Sequence, residues 1–196
     1  MKKFLADTIV KWFKSCGIAG YFRFKILYWA YRLTGWHIRH REWDFVFDYL
    51  PPLAKWQNIS VLDVGCCRNL FCYELIKRGY KLTGVDIEKY QEDYPGNFMQ
   101  IDITCNEINN NYDFVTCISV LEHIENGQGI ALNNMIKSLK ICGRLLITIP
   151  TNEFAQGHLW TGFSLRYFES LLPKNTRVIE YTERLGQMCM AIEKTE

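Results

Sequence analysis

The chain has 196 residues, 48% hydrophobic and 22% charged, a globular composition with room for one α/β domain and an extension. This excludes a disordered or fibrous protein, and no run of 18 apolar residues offers a membrane-spanning helix. The net charge of +2 hides an asymmetry: residues 1–41 hold nine Lys and Arg against one acid, Asp7, so that segment carries +8 and the remainder −6.

The first segment reads as an amphipathic helix, with Phe4, Leu5, Ile9, Trp12 and Phe13 on one face, broken at Gly17 and Gly20. Asp7, Lys11 and Lys14 interrupt the apolar run too early for a signal peptide. Tyr21, Phe22, Phe24, Tyr28, Trp29 and Trp36 then alternate with Arg23, Lys25, Arg32, Arg39 and Arg41. Basic and aromatic residues together suit three roles: a lid on the following domain, a contact with an anionic membrane surface, or a contact with nucleic acid. The lid and membrane readings are preferred to nucleic acid. A short helix over 41–56 ends at Pro51-Pro52, so residues 1–56 are assigned to a helical extension and 57–196 to the main domain.

From Ser60 the pattern changes. Val61, Leu62 and Val64 form an apolar strand, a turn opens at Gly65, and Phe71, Cys72, Leu75 and Ile76 recur with helical spacing up to Gly79. A second strand, Leu82 to Val85, ends at Asp86. Strand, turn, helix, strand and acid form a βαβ unit suited to a nucleoside: the helix N-terminus presents unpaired N–H groups, and the carboxylate can accept hydrogen bonds from ribose hydroxyls. A dinucleotide would require Gly-x-Gly-x-x-Gly, whereas Gly65 is followed by Cys66, Cys67, Arg68 and Asn69.

Pro95-Gly96 marks a turn, Phe98 to Ile101 a third strand with Asp102 at its end, and Phe114 to Ile118 a fourth. Leu132, Met135, Ile136 and Leu139 have helical spacing, with Gly143 expected to cap that helix and Leu145 to Ile149 to form a fifth strand. Ser164 is expected to cap a helix over Leu165 to Leu172, before strands near Arg177 to Tyr181 and Met188 to Glu193. The eight cysteines include no Cys-x-x-Cys pair, and several fall within apolar patterns, so they read as reduced thiols in a cytoplasmic protein, peripheral membrane association through residues 1–41 staying open.

Val61-Leu62-Asp63-Val64-Gly65-Cys66, Gly84-Val85-Asp86-Ile87, Gln100-Ile101-Asp102, the stretch from Asp113 to Ile124 and Gly143 to Pro150 together resemble the class I S-adenosylmethionine-dependent methyltransferases. The likeness covers about residues 60–193 and rests on five motifs in order. It implies a Rossmann-like, seven-stranded, mostly parallel sheet with helices on both faces and an antiparallel last strand. It also implies S-adenosylmethionine as cofactor, with Asp63 and Gly65 at its methionine side, Asp86 at the ribose, Asp102 and Ile103 at the adenine, and Cys66, Cys67, Ile87 and Ser119 as further cofactor-binding residues. The family usually has glycine at Cys67 and Asn69, so the turn is expected to adopt a conformation that does not need the second glycine. Arg41-Glu42-Trp43-Asp44 more loosely resembles a helix of some bacterial methyltransferases encoded with surface-glycan pathways, which makes Arg41 a candidate partner for the cofactor's carboxylate, although an ordinary surface arginine is the preferred reading.

In such sheets ligands bind at the carboxyl ends of the strands, where Ser119 to Glu125 and Thr151 to Phe163 converge. Methyl transfer to a hydroxyl needs alignment and removal of a proton. His123 is the first candidate base, His158 the second, with Glu122 beside them. Related families hold a divalent metal with an acidic-His pair here, but Ser119 stands where their first glutamate would be, so no metal is assigned. The sequence therefore reads as an O-methyltransferase of a small or lipid-linked acceptor, with a degenerate binding-only fold and an RNA methyltransferase as alternatives.

Overall fold

The computed structural model describes residues 37–52, 58–67, 70–89, 94–108, 111–152, 162–184 and 186–196. Expectations placed on residues 1–36, on Arg68, Asn69 and His158, and on the Arg41 side chain lie outside them. The chain divides into two compact units, Met1–Arg41 and Glu42–Glu196. Among the described residues no helix is long and apolar enough to cross a membrane.

The second unit is built on one seven-stranded sheet. Its strands are β1 (Ser60–Val64), β2 (Lys81–Asp86), β3 (Asn97–Gln100), β4 (Tyr112–Ile118), β5 (Leu139–Pro150), β6 (Thr176–Arg184) and β7 (Gln187–Lys194). They lie in the order β3-β2-β1-β4-β5-β7-β6, with β7 antiparallel to both of its neighbours and every other pair parallel. The expected Rossmann-like, mostly parallel sheet is therefore the one observed.

Because helices cover both faces, the central strands are apolar almost throughout rather than alternating. Leu62 and Val64 of β1 face a core built with Ala131, Leu132, Met135 and Ile136 of α3 (Gln128–Ser138) and Phe168 of α4 (Leu165–Leu171). Val61 faces the other core, with Phe45 and Val46 of α1 (His37–Tyr49) and Phe71 and Leu75 of α2 (Leu70–Lys77). Cys66, Cys72, Cys117 and Cys189 are buried in these cores and serve as small hydrophobic residues, while Cys67, Cys105 and Cys142 are exposed. Gly79, at φ 94°, follows α2 in the left-handed conformation that ends many helices. Ser164 caps α4 as expected, its hydroxyl accepting from the Tyr167 N–H at 3.2 Å.

Gly143 does not cap α3. That helix ends at Ser138, and Leu139 already pairs with Tyr112 as the first residue of β5. The next registered pair is Phe114 with Arg144, so four residues of β5 lie opposite the single Asp113 of β4 and bulge out, with Cys142 at φ 61°. Glycine is needed inside this bulge because a Cβ at Gly143 would stand 2.8 Å from the Lys140 carbonyl oxygen and 3.1 Å from that of Tyr112. The sequence signal for a glycine was correct; its cause is close backbone approach rather than helix termination.

Candidate functional site

The parallel arrangement brings the carboxyl ends of β1, β2, β3 and β4 to one edge, and the described residues expected to bind the cofactor follow or end these strands. The chain leaves β1 at Val64 into a turn in which Gly65 has φ 67° and Cys67 has φ 43°. The Gly65 and Cys66 N–H groups donate to the Val85 carbonyl at 2.8 and 3.2 Å, which folds the turn back over β2. A Cβ at Gly65 would overlap the Val120 methyl groups, so only glycine fits. The expectation that the turn would avoid a left-handed second position is overturned: Cys67 occupies that region, at a cost on the order of 1–2 kcal/mol for a residue with a Cβ.

Asp86 supplies part of what holds Cys67 there. Its Oδ2 accepts from the Cys67 N–H at 3.0 Å, and its Oδ1 accepts from the Glu88 N–H at 3.0 Å. One carboxylate thus ties the end of β2 to the turn after β1. Ile87, next in the chain, is 64% exposed, an apolar side chain left at the edge.

Asp63 lies beneath the turn and is 2% exposed. Its Oδ1 accepts from the Thr116 hydroxyl at 2.7 Å, while its Oδ2 is buried and takes no hydrogen bond among the described residues. Burial pushes its carboxyl up to about 7, the Thr116 hydrogen bond opposes this, and the nearby Asp86 charge adds to it. Burial also holds the Cys66, Cys72 and Cys117 thiols far above their ordinary value, so they are neutral at working pH and poor nucleophiles.

Asp102 turns onto its own loop: Oδ1 accepts from the Thr104 N–H and hydroxyl at 2.8 and 2.7 Å, and these bonds hold its carboxyl below the usual carboxylate range. Ile103 packs in the core, and its carbonyl accepts from Asn134 Nδ2 at 2.8 Å, which anchors the loop to α3. After β4, Ser119 has φ 51° and leads through Val120 into a 3₁₀ turn, Leu121–His123. Within it Glu122 is buried and lies close to Cys117, whereas His123 is exposed. The two neighbours therefore point to different environments. Among the described residues no three His, Cys, Asp or Glu side chains gather as a metal would require. Phe163 is buried in the core, and its N–H donates to the Pro150 carbonyl at 3.0 Å.

The sequence reading missed Glu42, Thr116 and Thr148. Glu42, 1% exposed, accepts from the Ser119 hydroxyl at 2.6 Å and from the Thr148 hydroxyl at 2.7 Å through the same oxygen. The signal was available, since Glu42, Phe45 and Tyr49 share one face of α1 by spacing, and an acid on an apolar face needs a partner.

A profile described as a methyltransferase domain matches residues 36–188. The chain is 30% identical over 154 residues to a ubiquinone biosynthesis O-methyltransferase of Rickettsia typhi, covering 71% of this chain and 62% of that one. It is 31% identical over 139 residues to a protein of the same name from Coxiella burnetii, covering 65% and 58%. This chain thus matches about three-fifths of the length of those curated relatives. Among solved structures, the N-methyltransferase NodS of Bradyrhizobium japonicum, in complex with S-adenosylhomocysteine, superposes with a TM-score of 0.64 at 15% identity over 81% of this chain and 87% of that one. The fold is that of the S-adenosylmethionine-dependent class I methyltransferases, and the chain belongs to the methyltransferase-domain family.

Proposed function

We propose that the chain transfers a methyl group from S-adenosylmethionine to a hydroxyl oxygen of a small acceptor. The observation that carries this reading is the edge formed by Gly65, Cys67 and Asp86, where a turn shaped by positive φ values is joined to the carboxylate that ends β2. The residues fit such a cofactor. Asp63 Oδ2 is a buried acceptor with no donor among the described residues. In this reading Asp63, Gly65, Cys66 and Cys67 hold the methionine side, Asp86 with Ile87 the ribose, Asp102 with Ile103 the adenine, and Ser119 closes the pocket beside β4. When bound, the cofactor supplies an electrophilic sulfonium methyl.

The chain's own contribution is to align the acceptor and take its proton. His123, exposed at the end of the 3₁₀ turn that follows Ser119, is suited to that role because a neutral imidazole can accept a proton near pH 7. The names of the Rickettsia and Coxiella relatives support oxygen as the acceptor atom.

The test is calorimetric titration with S-adenosylmethionine and S-adenosylhomocysteine, followed by assay of phenolic acceptors. Micromolar binding of both, with His123→Ala lowering kcat by about 10²–10⁴-fold while leaving cofactor affinity intact, is the expected result. The strain at Cys67 favours one competing reading, a fold kept for binding alone. Absence of affinity for either ligand would select it.

A further inference from the structure

We propose that Glu42 is a positioning residue whose buried carboxylate holds the Ser119–His123 loop, and through it the Gly65 turn, in ligand-binding geometry. The proposal rests on the functional reading above for its ligand, but its structural basis is independent of it. One oxygen of Glu42 accepts from Ser119 at the end of β4 and from Thr148 near the end of β5, so a helix that precedes the sheet bridges two adjacent strand ends. The Ser119 N–H donates to the Thr148 carbonyl at 2.9 Å, which closes the bridge on the backbone side.

Ser119 has φ 51° and is not glycine. A residue with a Cβ persists in that region only when its surroundings over-determine it, and the hydroxyl bond to Glu42 is the side-chain part of that determination. Val120 comes next, and its methyl groups sit so close to Gly65 that no Cβ could be added there. The loop then continues through the bond from the His123 N–H to the Val120 carbonyl, at 2.9 Å. Contact therefore runs from Glu42 to Ser119, Val120 and the Gly65 turn. Releasing Ser119 from Glu42 lets it leave the left-handed region, and Val120 moves off the glycine turn.

The experiment is a double-mutant cycle in the full chain, read by S-adenosylhomocysteine affinity and by hydrogen exchange. Glu42→Leu fills the buried volume but removes the acceptor, and should weaken affinity about tenfold, the worth of a buried hydrogen bond to a charged group. Glu42→Gln keeps an oxygen acceptor and should restore most of that loss. Ser119→Gly accepts positive φ without help, so adding Glu42→Leu to it should change affinity by less than about twofold. A purely structural carboxylate would instead give equal losses in both backgrounds, or lower the melting temperature without changing affinity, and either result overturns the proposal. If Glu42→Leu does not fold, Ser119→Ala takes its place, since it deletes the hydroxyl and keeps the strain.

Exchange separates this proposal from the choice of ligand. In Glu42→Leu the amides of Ser119, His123 and Gly65 should exchange at least about tenfold faster than in wild type, with those of the β6–β7 pair unchanged. Should wild type bind no S-adenosylhomocysteine, the functional reading fails while this measurement still decides for or against the clamp.

Discussion

Cys67 and Asp63 show how side chains beside one turn accept unfavourable states. At φ 43° the thiol residue sits where glycine is at ease, and its N–H is fixed by Asp86. Cys67→Gly should therefore be at least as stable as wild type, because relief of left-handed strain offsets the added chain entropy, each being roughly 1 kcal/mol. Cys67→Val, β-branched, should lose about 1–2 kcal/mol in urea unfolding. Asp63 is raised in the folded state to about 7 from 3.8. A raised carboxyl stabilises the fold fully below its unfolded value and loses that contribution as pH rises through the folded one, so the window is pH 4 to 7. Melting temperature should fall across that window in wild type, and Asp63→Asn should flatten the curve. An unchanged slope in the variant would assign it to another group.

At the scale of elements, the packing of the loop before β3 against β2 makes its own demand. Gly84 lies in β2 next to Asp63 of β1, and a Cβ there would overlap the Tyr94 ring, whose hydroxyl is buried and takes no hydrogen bond among the described residues. Gly84→Ala should cost about 1–3 kcal/mol by overpacking. Tyr94→Phe removes an unsatisfied buried hydroxyl and should stabilise by about 1 kcal/mol, a rise of roughly 2–4 °C in Tm.

These contacts mark the limit of what sequence reading could reach. The strand-turn-helix-strand unit was legible because each strand is a continuous apolar run and each break carries glycine or a carboxylate. Tyr94 on Gly84 and Glu42 on Ser119 were not: the second joins residues distant in sequence through sheet order, and the first depends on how the loop before β3 folds back on β2, neither of which local pattern encodes. Gly143 was misassigned for a related reason. A glycine after a helical pattern looks the same whether it ends the helix or admits a neighbouring strand's carbonyl.

For the whole molecule, the sheet separates two rims with different duties. The carboxyl rim carries Gly65, Cys67, Asp86 and Ser119, three of which have positive φ. The opposite rim carries the β5 bulge and the ion pair of Lys140 with Asp113 at 2.6 Å, itself bonded to the Ser60 N–H and hydroxyl. A ligand that binds only the folded chain stabilises it by about 2.7 kcal/mol at a hundredfold excess over Kd, which for a chain of this size is a rise in Tm of roughly 5–10 °C. The same ligand should slow exchange at the amides of Gly65, Cys67 and Ser119, because they border the proposed pocket and their strained conformations are the ones it selects. Amides of the bulge over 139–143 should gain no protection beyond the global increase in stability, since no part of the pocket reaches that rim. Hydrogen exchange with and without S-adenosylhomocysteine measures both together. Protection concentrated at the bulge would place the ligand on the wrong edge of the sheet and overturn the site.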